Sequence, residues 1–259
     1  MHATSADTAP PEADQAPTFL VVGAGGLGCP VLMALVAGGA RKLVVADPDT
    51  VETSNLQRQV LFQHADRGRP KARVAAQRIG HADPRVNVRA EVAHVDLAFL
   101  RAWRSHTAGN TVVLECTDSP ALKFALNDAC VDMGLSLVIG GVLGWSGQVM
   151  AITPGSACFR CVFEAPPPPE LSPTCASFGV IGAAAGTIGF LMALFALRIH
   201  RHRRVAGRLQ TIDLRSGRCA NLAPRPRSSC PACGRRSHGA REPKPSSPGP
   251  VPRAKVPPP

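Results

Sequence analysis

Residues 18–73 read TFLVVGAGGLGCPVLMALVAGGARKLVVADPDTVETSNLQRQVLFQHADRGRPKAR. The apolar run 19–22 stops at a cluster of glycines, Gly23, Gly25, Gly26 and Gly28. Residues 29–36 then read as an apolar helix, and 42–46 as a second buried strand that closes on Asp47. Strand, glycine turn, helix, strand and acid, in that order, make a βαβ nucleotide-binding unit. The glycines allow a tight turn and let a ligand approach the N–H groups at the helix start, where the dipole favours anions.

The unit does not say which nucleotide. Asp47 lies 24 positions after Gly23, where an acid roughly 20 residues on binds a ribose in dinucleotide enzymes. The loop after the acid is more specific. The segment DPDTVETSNLQRQ places Asp49, Ser54, Asn55, Gln57, Arg58 and Gln59 close behind the second strand. A dehydrogenase has no need of such a donor-rich loop, whereas a polyanion does.

Downstream the pattern keeps alternating. Residues 71–79 form a short helix with Ala72, Ala75, Ala76 and Ile79 on its apolar face. Residues 86–92 alternate like a half-buried strand, and 97–103 are helical. A buried strand at 111–114 leads into Cys116, Thr117 and Asp118. A helix at 121–133 is broken at Gly134, and strands follow at 135–140 and 147–153. This alternation predicts an α/β fold with a Rossmann-like, doubly wound, mostly parallel sheet.

With 259 residues and 45% hydrophobic residues, the chain can bury a substantial core. The net charge of +11 is unevenly spread. Residues 198–259 hold 15 of the 29 Lys and Arg and two acids, for +13, so residues 1–197 carry −2. The body is near neutral. The basic last quarter has no aromatics for stacking bases and reads as a solvated tail, which argues against a nucleic-acid partner. Residues 1–17 hold three acids and no apolar stretch; they read as a disordered leader and not a signal peptide. Residues 235–259, rich in Pro and Arg, read as a disordered tail. Between them, 18–234 form the domain.

Residues 176–197 are apolar except for Ser177 and Thr187, and arginines follow at 198, 201, 203 and 204. That length could span a bilayer. The glycine and alanine content favours a helix packed under the sheet, so the reading is a core helix without a membrane partner.

Nine cysteines without an export signal point to metal or thiol chemistry in a reducing compartment, the cytoplasm. Cys158 and Cys161, and Cys230 and Cys233, are two CxxC knuckles that together suit one tetrahedral zinc. Such a site would pin the C-terminal segment to the middle of the chain. Cys29, Cys116 and Cys130 lie in apolar elements and read as core. Cys175 stands in a loop before the apolar helix, where a helix N-terminus can lower a thiol pKa. A nucleophilic role and an inert one both remain open there.

The whole set, GAGGLG, Asp47 with its SNLQRQ loop, Lys71 in GRPKAR, CTDS at 116–119, CxxC, PTC and CxxC, resembles the HesA/MoeB/ThiF group of E1-like adenylyltransferases. The resemblance runs from about Thr18 to Gly234. It implies an enzyme that uses ATP and Mg²⁺ to adenylate the C-terminal glycine of a ubiquitin-like sulfur-carrier protein ending in Gly-Gly. Molybdopterin and thiamine biosynthesis use such enzymes. By this resemblance Gly23, Gly25, Gly26 and Gly28 line the phosphates and Asp47 binds the ribose. Asp49, Ser54, Asn55 and Arg58 belong to the nucleotide site, with Asn55 and Arg58 on the triphosphate. Lys71 neutralises developing charge, Asp118 ligates Mg²⁺, and Cys175 matches a cysteine used for thioester or acyl-disulfide chemistry. A homodimer and a separate sulfur donor are also implied.

Three departures qualify the resemblance. The family's N-terminal arginine, which reaches the partner subunit's ATP, has no counterpart before Arg41. Lys123 stands where the family often has arginine, and Ser119 where it often has asparagine. Other readings are an ATP-binding scaffold with reduced turnover, an NAD-dependent oxidoreductase and a membrane-anchored protein.

Overall fold

A computed structural model describes residues 17–106, 111–168, 179–201 and 207–234. The chain runs through β1 (Thr18–Val22), α1 (Gly28–Ala37), β2 (Lys42–Ala46), α2 (Lys71–Ala82), β3 (Asn87–Glu91), α3 (Leu97–His106), β4 (Thr111–Glu115) and α4 (Pro120–Met133). It continues through β5 (Ser136–Leu143), β6 (Ser146–Ile152), the short α5 (Phe159–Val162), α6 (Gly182–His200), β7 (Arg208–Asp213) and β8 (Arg218–Leu222).

The strands form one eight-stranded sheet ordered β3-β2-β1-β4-β5-β6-β7-β8. The first five are parallel and the last three antiparallel. The central strands TFLVV and TVVLE are apolar on both faces, as strands covered on both sides must be. Phe19, Val21, Leu43, Val45, Val112 and Leu114 face one core, shared with α1, α2 and α6. Leu20, Val22, Val44 and Val113 face the other, shared with α3, α4 and α5. The sheet is therefore doubly wound as expected, with an antiparallel extension.

The ends of α4 are set locally. Ser119 caps it by accepting the Leu122 N–H at 3.2 Å, Pro120 occupies the first turn, and Gly134 closes it in the left-handed conformation.

The apolar run becomes α6, within the described part of that run. Eight of its nineteen residues are buried. It lies against α1 and across β5 and β6, where Met192 and Ile188 cover Gly140 and Gly147. At Gly189 a Cβ would stand 2.7 Å from the Leu27 carbonyl oxygen and 2.5 Å from Pro30. The small residues thus let two helices and a sheet approach closely. By length and composition α6 could cross a membrane, but one side of it is built into the core.

Several boundaries differ from the sequence reading. Helix α2 runs on to Ala82, and β5 passes Gly140 to reach Leu143. The larger correction concerns the basic last quarter, which is not simply a solvated tail. Residues 208–222 form β7 and β8 and extend the sheet. Of the leader read at 1–17, residues 1–16 lie outside the described residues, as does the tail 235–259.

Candidate functional site

The strand order reverses between β1 and β4, and ligands bind at such a switch point, beyond the C-terminal ends of the strands. A cleft of about 860 Å³ opens there. Gly23, Gly25 and Gly26 form one wall, and Asp47 and Asp49 follow from β2. Asn55, Arg58, Lys71 and Asp118 complete the group of sequence-predicted residues that line it.

The glycine turn is held by backbone geometry. Gly23 has φ 91°, which side chains rarely tolerate. Gly28 does not line the cleft. A Cβ there would stand 1.9 Å from the Gly23 carbonyl oxygen, so its part is to let α1 start directly against the turn. Asp47 Oδ2 accepts the Ala24 N–H at 2.7 Å, and Oδ1 accepts the Asp49 N–H at 2.8 Å. The acid thus ties the end of β2 to the glycine turn. Burial pushes its carboxyl above the usual range, against the pull of those amides and of Lys71.

Lys71 opens α2 and is only 6% exposed. Its Nζ meets Asp49 Oδ2 at 2.9 Å, while Asp49 remains mostly in solvent. Arg58 donates to Asn55 Oδ1 at 2.8 Å and lays its aliphatic stem beside Gly26. A guanidinium and a buried ammonium therefore flank the glycine turn, an arrangement suited to phosphates. Asp118 lies at the cleft beyond β4, and among the described residues no hydrogen bond or ion pair engages its carboxylate. An exposed, uncommitted carboxylate across a cleft lined by a glycine turn, Arg58 and Lys71 fits Mg²⁺, which takes one or two carboxylates plus phosphate oxygens.

Two expectations fare differently. Ser54 does not line the cleft, and its Oγ donates to Glu52 at 3.4 Å. Cys175 lies outside the described residues. Other lining residues were given no specific role in the sequence, although Gln59 was named in the donor-rich loop and Ser119 and Lys123 as departures from the family pattern. Gln59 is 3% exposed, with an Oε1 that has no partner among the described residues. His94, Thr117, Ser119 and Lys123 also line the cleft. Gln59 is the last residue of the SNLQRQ loop, and Lys123 stands one turn into α4 at a position already noted against the family pattern, so the sequence held a signal for both.

A second cleft, of about 790 Å³, lies over β5, β6, β7 and β8. It shares Gly141, Val142 and Leu143 with the first and is partly floored by Ile212 and Ala220.

The four knuckle cysteines converge. Their Sγ atoms all lie within 4.8 Å of one another, with Cys158–Cys230 at 3.6 Å and Cys161–Cys233 at 3.4 Å. Tetrahedral zinc with bonds of ~2.3 Å would space its sulfurs by about 3.8 Å, so the set fits. The Arg227 N–H points at Cys161 Sγ at 3.4 Å, a backbone donor placed to steady a metal-bound thiolate. Burial opposes ionisation across the cluster and raises the Cys158 and Cys233 thiols, whereas at Cys230 the amides of Cys233 and Ala232, with the neighbouring sulfurs, outweigh burial and lower the thiol. Burial instead pushes Cys29 and Cys130 up to about 12, as inert core thiols. The cluster joins residues 227–234 to α5, which Arg160 ties to Asp128 of α4 at 2.7 Å.

Comparison with known proteins gives a consistent result. The model of the ThiF family matches residues 14–232. The SAMP-activating enzyme E1 of Haloferax volcanii is 37% identical over 217 residues, covering 83% of this chain and 79% of that protein. The sulfur carrier protein ThiS adenylyltransferase of Escherichia coli is 37% identical over 218 residues, covering 83% and 85%. The crystal structure of E. coli MccB with ATP superposes with a TM-score of 0.71 over 85% of this chain and 68% of that one; at 17% identity this is a likeness of fold.

Proposed function

The chain belongs to the ThiF family, and on that premise we propose that it is an ATP-dependent adenylyltransferase for a ubiquitin-like sulfur-carrier protein. The observation that carries this reading is the convergence of Asp47, Arg58, Lys71 and Asp118 on one cleft at the switch point.

In the reaction, a carboxylate oxygen of the carrier's C-terminal glycine attacks the α-phosphorus of ATP. The bond from that phosphorus to the bridging oxygen breaks, and pyrophosphate leaves with the electron pair. Carboxylate and triphosphate are both anionic, so the protein's task is alignment and charge neutralisation. The glycine turn receives the phosphates at the N-terminus of α1. Asp47, already fixed by two amides, holds the ribose hydroxyls. Arg58 exchanges its Asn55 contact for phosphate oxygens, and Lys71 opposes the charge that grows on the α-phosphate and the leaving group. Asp118 holds Mg²⁺, which when bound screens the phosphate oxygens and stabilises the departing pyrophosphate.

The second cleft abuts the first at Gly141–Leu143 and gives an extended carrier tail a route to the α-phosphate. The cysteine cluster holds zinc in a structural role. Phe190 and Leu194 on α6, together with Met33 on the neighbouring α1, are 41–51% exposed. Apolar exposure of this kind suits a homodimer interface. We place the enzyme in the cytoplasm with a separate sulfur donor, and Cys175 is a candidate for covalent chemistry after adenylation.

The test is isotope exchange between ATP and pyrophosphate in the presence of Mg²⁺ and carriers ending in Gly-Gly. Exchange that requires the carrier's terminal carboxylate supports the proposal. ATP binding without exchange for any such carrier would point to a nucleotide-binding scaffold instead.

A further inference from the structure

Glu115 is the last residue of β4 and is fully buried beneath the cleft. A buried carboxylate requires partners. It accepts the Thr117 N–H at 2.8 Å, and the Thr117 hydroxyl and the Lys123 ammonium complete its shell. Lys123 in turn has three N–H groups and three acceptors: Glu115, the Thr117 carbonyl at 2.7 Å and the Gly140 carbonyl at 2.7 Å. Its side chain is only 11% exposed. A lysine with every proton committed is not free to act as a phosphate ligand.

A buried ion pair is weak evidence of stabilisation, because apolar residues of similar volume often serve stability as well. This pair does what apolar residues cannot. It fixes both polar backbone groups of Thr117 and ties them to β5 through Gly140. The fixed Thr117 carbonyl belongs to the peptide bond that leads into Asp118. On the other side, Ser119 is held by its cap on α4 and by its N–H, which donates to Thr117 Oγ1 at 3.4 Å. The backbone of Asp118 is therefore clamped on both flanks, while its carboxylate is left open to the cleft.

We propose that Glu115 and Lys123 are positioning residues that set where the Asp118 carboxylate stands, and thereby the affinity of the cleft for its divalent cation. This rests on the reading of Asp118 as the cation ligand. The pair acts through Thr117 and touches neither nucleotide nor metal.

The test is Mn²⁺ titration followed by electron paramagnetic resonance, with a non-hydrolysable ATP analogue bound. Wild type is compared with Lys123→Met, Lys123→Arg, Glu115→Gln and Asp118→Ala, alongside nucleotide affinity measured without cation and thermal melting. Lys123→Met and Glu115→Gln should weaken Mn²⁺ about 10-fold, the lower end of the range for residues that hydrogen-bond a metal ligand directly, because the pair reaches Asp118 only through the backbone. Cation-free nucleotide affinity should stay unchanged, and Lys123→Arg should restore most of the loss. Unchanged Mn²⁺ binding in folded Lys123→Met overturns the inference. So does an equal loss of cation-free nucleotide affinity, which would make Lys123 a nucleotide ligand. If Lys123→Met does not fold, Glu115→Gln and Lys123→Arg decide by the same criteria. Wild-type Mn²⁺ binding by Asp118→Ala would instead remove the reading of Asp118, and the inference with it.

Discussion

Replacing Gly28 with alanine tests how the glycine turn is built. The new Cβ would lie 1.9 Å from the Gly23 carbonyl oxygen and 2.9 Å from its carbon, both backbone atoms. No rotamer relieves that overlap, so α1 or the turn must retreat by more than an ångström. Overpacking of this kind costs about 3 kcal/mol or more. At 2–4 °C per kcal/mol for a domain of this size, melting should fall by roughly 6–12 °C. Gly26 is the matched control. A Cβ there meets only Ala185 and the Arg58 stem at 3.5 Å, an ordinary contact, yet it lines the cleft. Gly26→Ala should therefore melt near wild type while binding ATP more weakly. Differential scanning fluorimetry and calorimetric titration with ATP separate the two effects. A Gly28→Ala protein that melts like wild type and binds ATP normally would refute the close-approach argument.

The remaining expectations concern other parts of the fold. Purified protein should carry about one zinc per chain by elemental analysis, and Cys230→Ser should lower both zinc content and melting temperature because metal binding contributes directly to folding. Asp66 should govern part of the acid limb of stability. Burial alone would raise its pKa, but the Gln63 amide and the Arg78 and Arg69 guanidiniums outweigh burial and lower it. Its contribution is present above the ordinary carboxylate range and is lost as pH falls through the lowered value, so Asp66→Asn should flatten that limb in denaturant titrations. Leu194→Glu should shift a dimer toward monomer in sedimentation analysis; an unchanged dimer would move the interface away from α6.

The strongly punctuated half of the fold was legible in the sequence. Glycines bound β1 and α1, Asp47 closes β2, and Gly134 stops α4, so local chemistry marked those boundaries. Strands β7 and β8 were not legible. Arg208, Arg215 and Arg218 made the segment resemble the basic residues around it, and every residue of β8 is exposed. Those strands are recruited by pairing with β6, a long-range interaction without a strong local signal. The site divides in the same way. Asp47, Arg58, Lys71 and Asp118 belong to contiguous motifs and do meet at the cleft. Ser54 shared a motif with Asn55, but its side chain turns to Glu52. The Glu115–Lys123 network depends on the Gly140 carbonyl, 17 residues away in sequence, which spacing alone does not bring to Lys123.

On this account the cleft joins AMP to the carboxyl end of a carrier protein. The most direct measurement is the intact mass of a Gly-Gly carrier after incubation with enzyme, ATP and Mg²⁺, quenched before the adenylate hydrolyses. The expected product is a carrier heavier by one adenylyl group. That species should be absent when the terminal glycine is removed and reduced at least ~100-fold, on the scale of a lost electrostatic contact to the transition state, with Asp118→Ala. A carrier of unchanged mass with wild-type enzyme, under conditions where ATP demonstrably binds, would contradict this account.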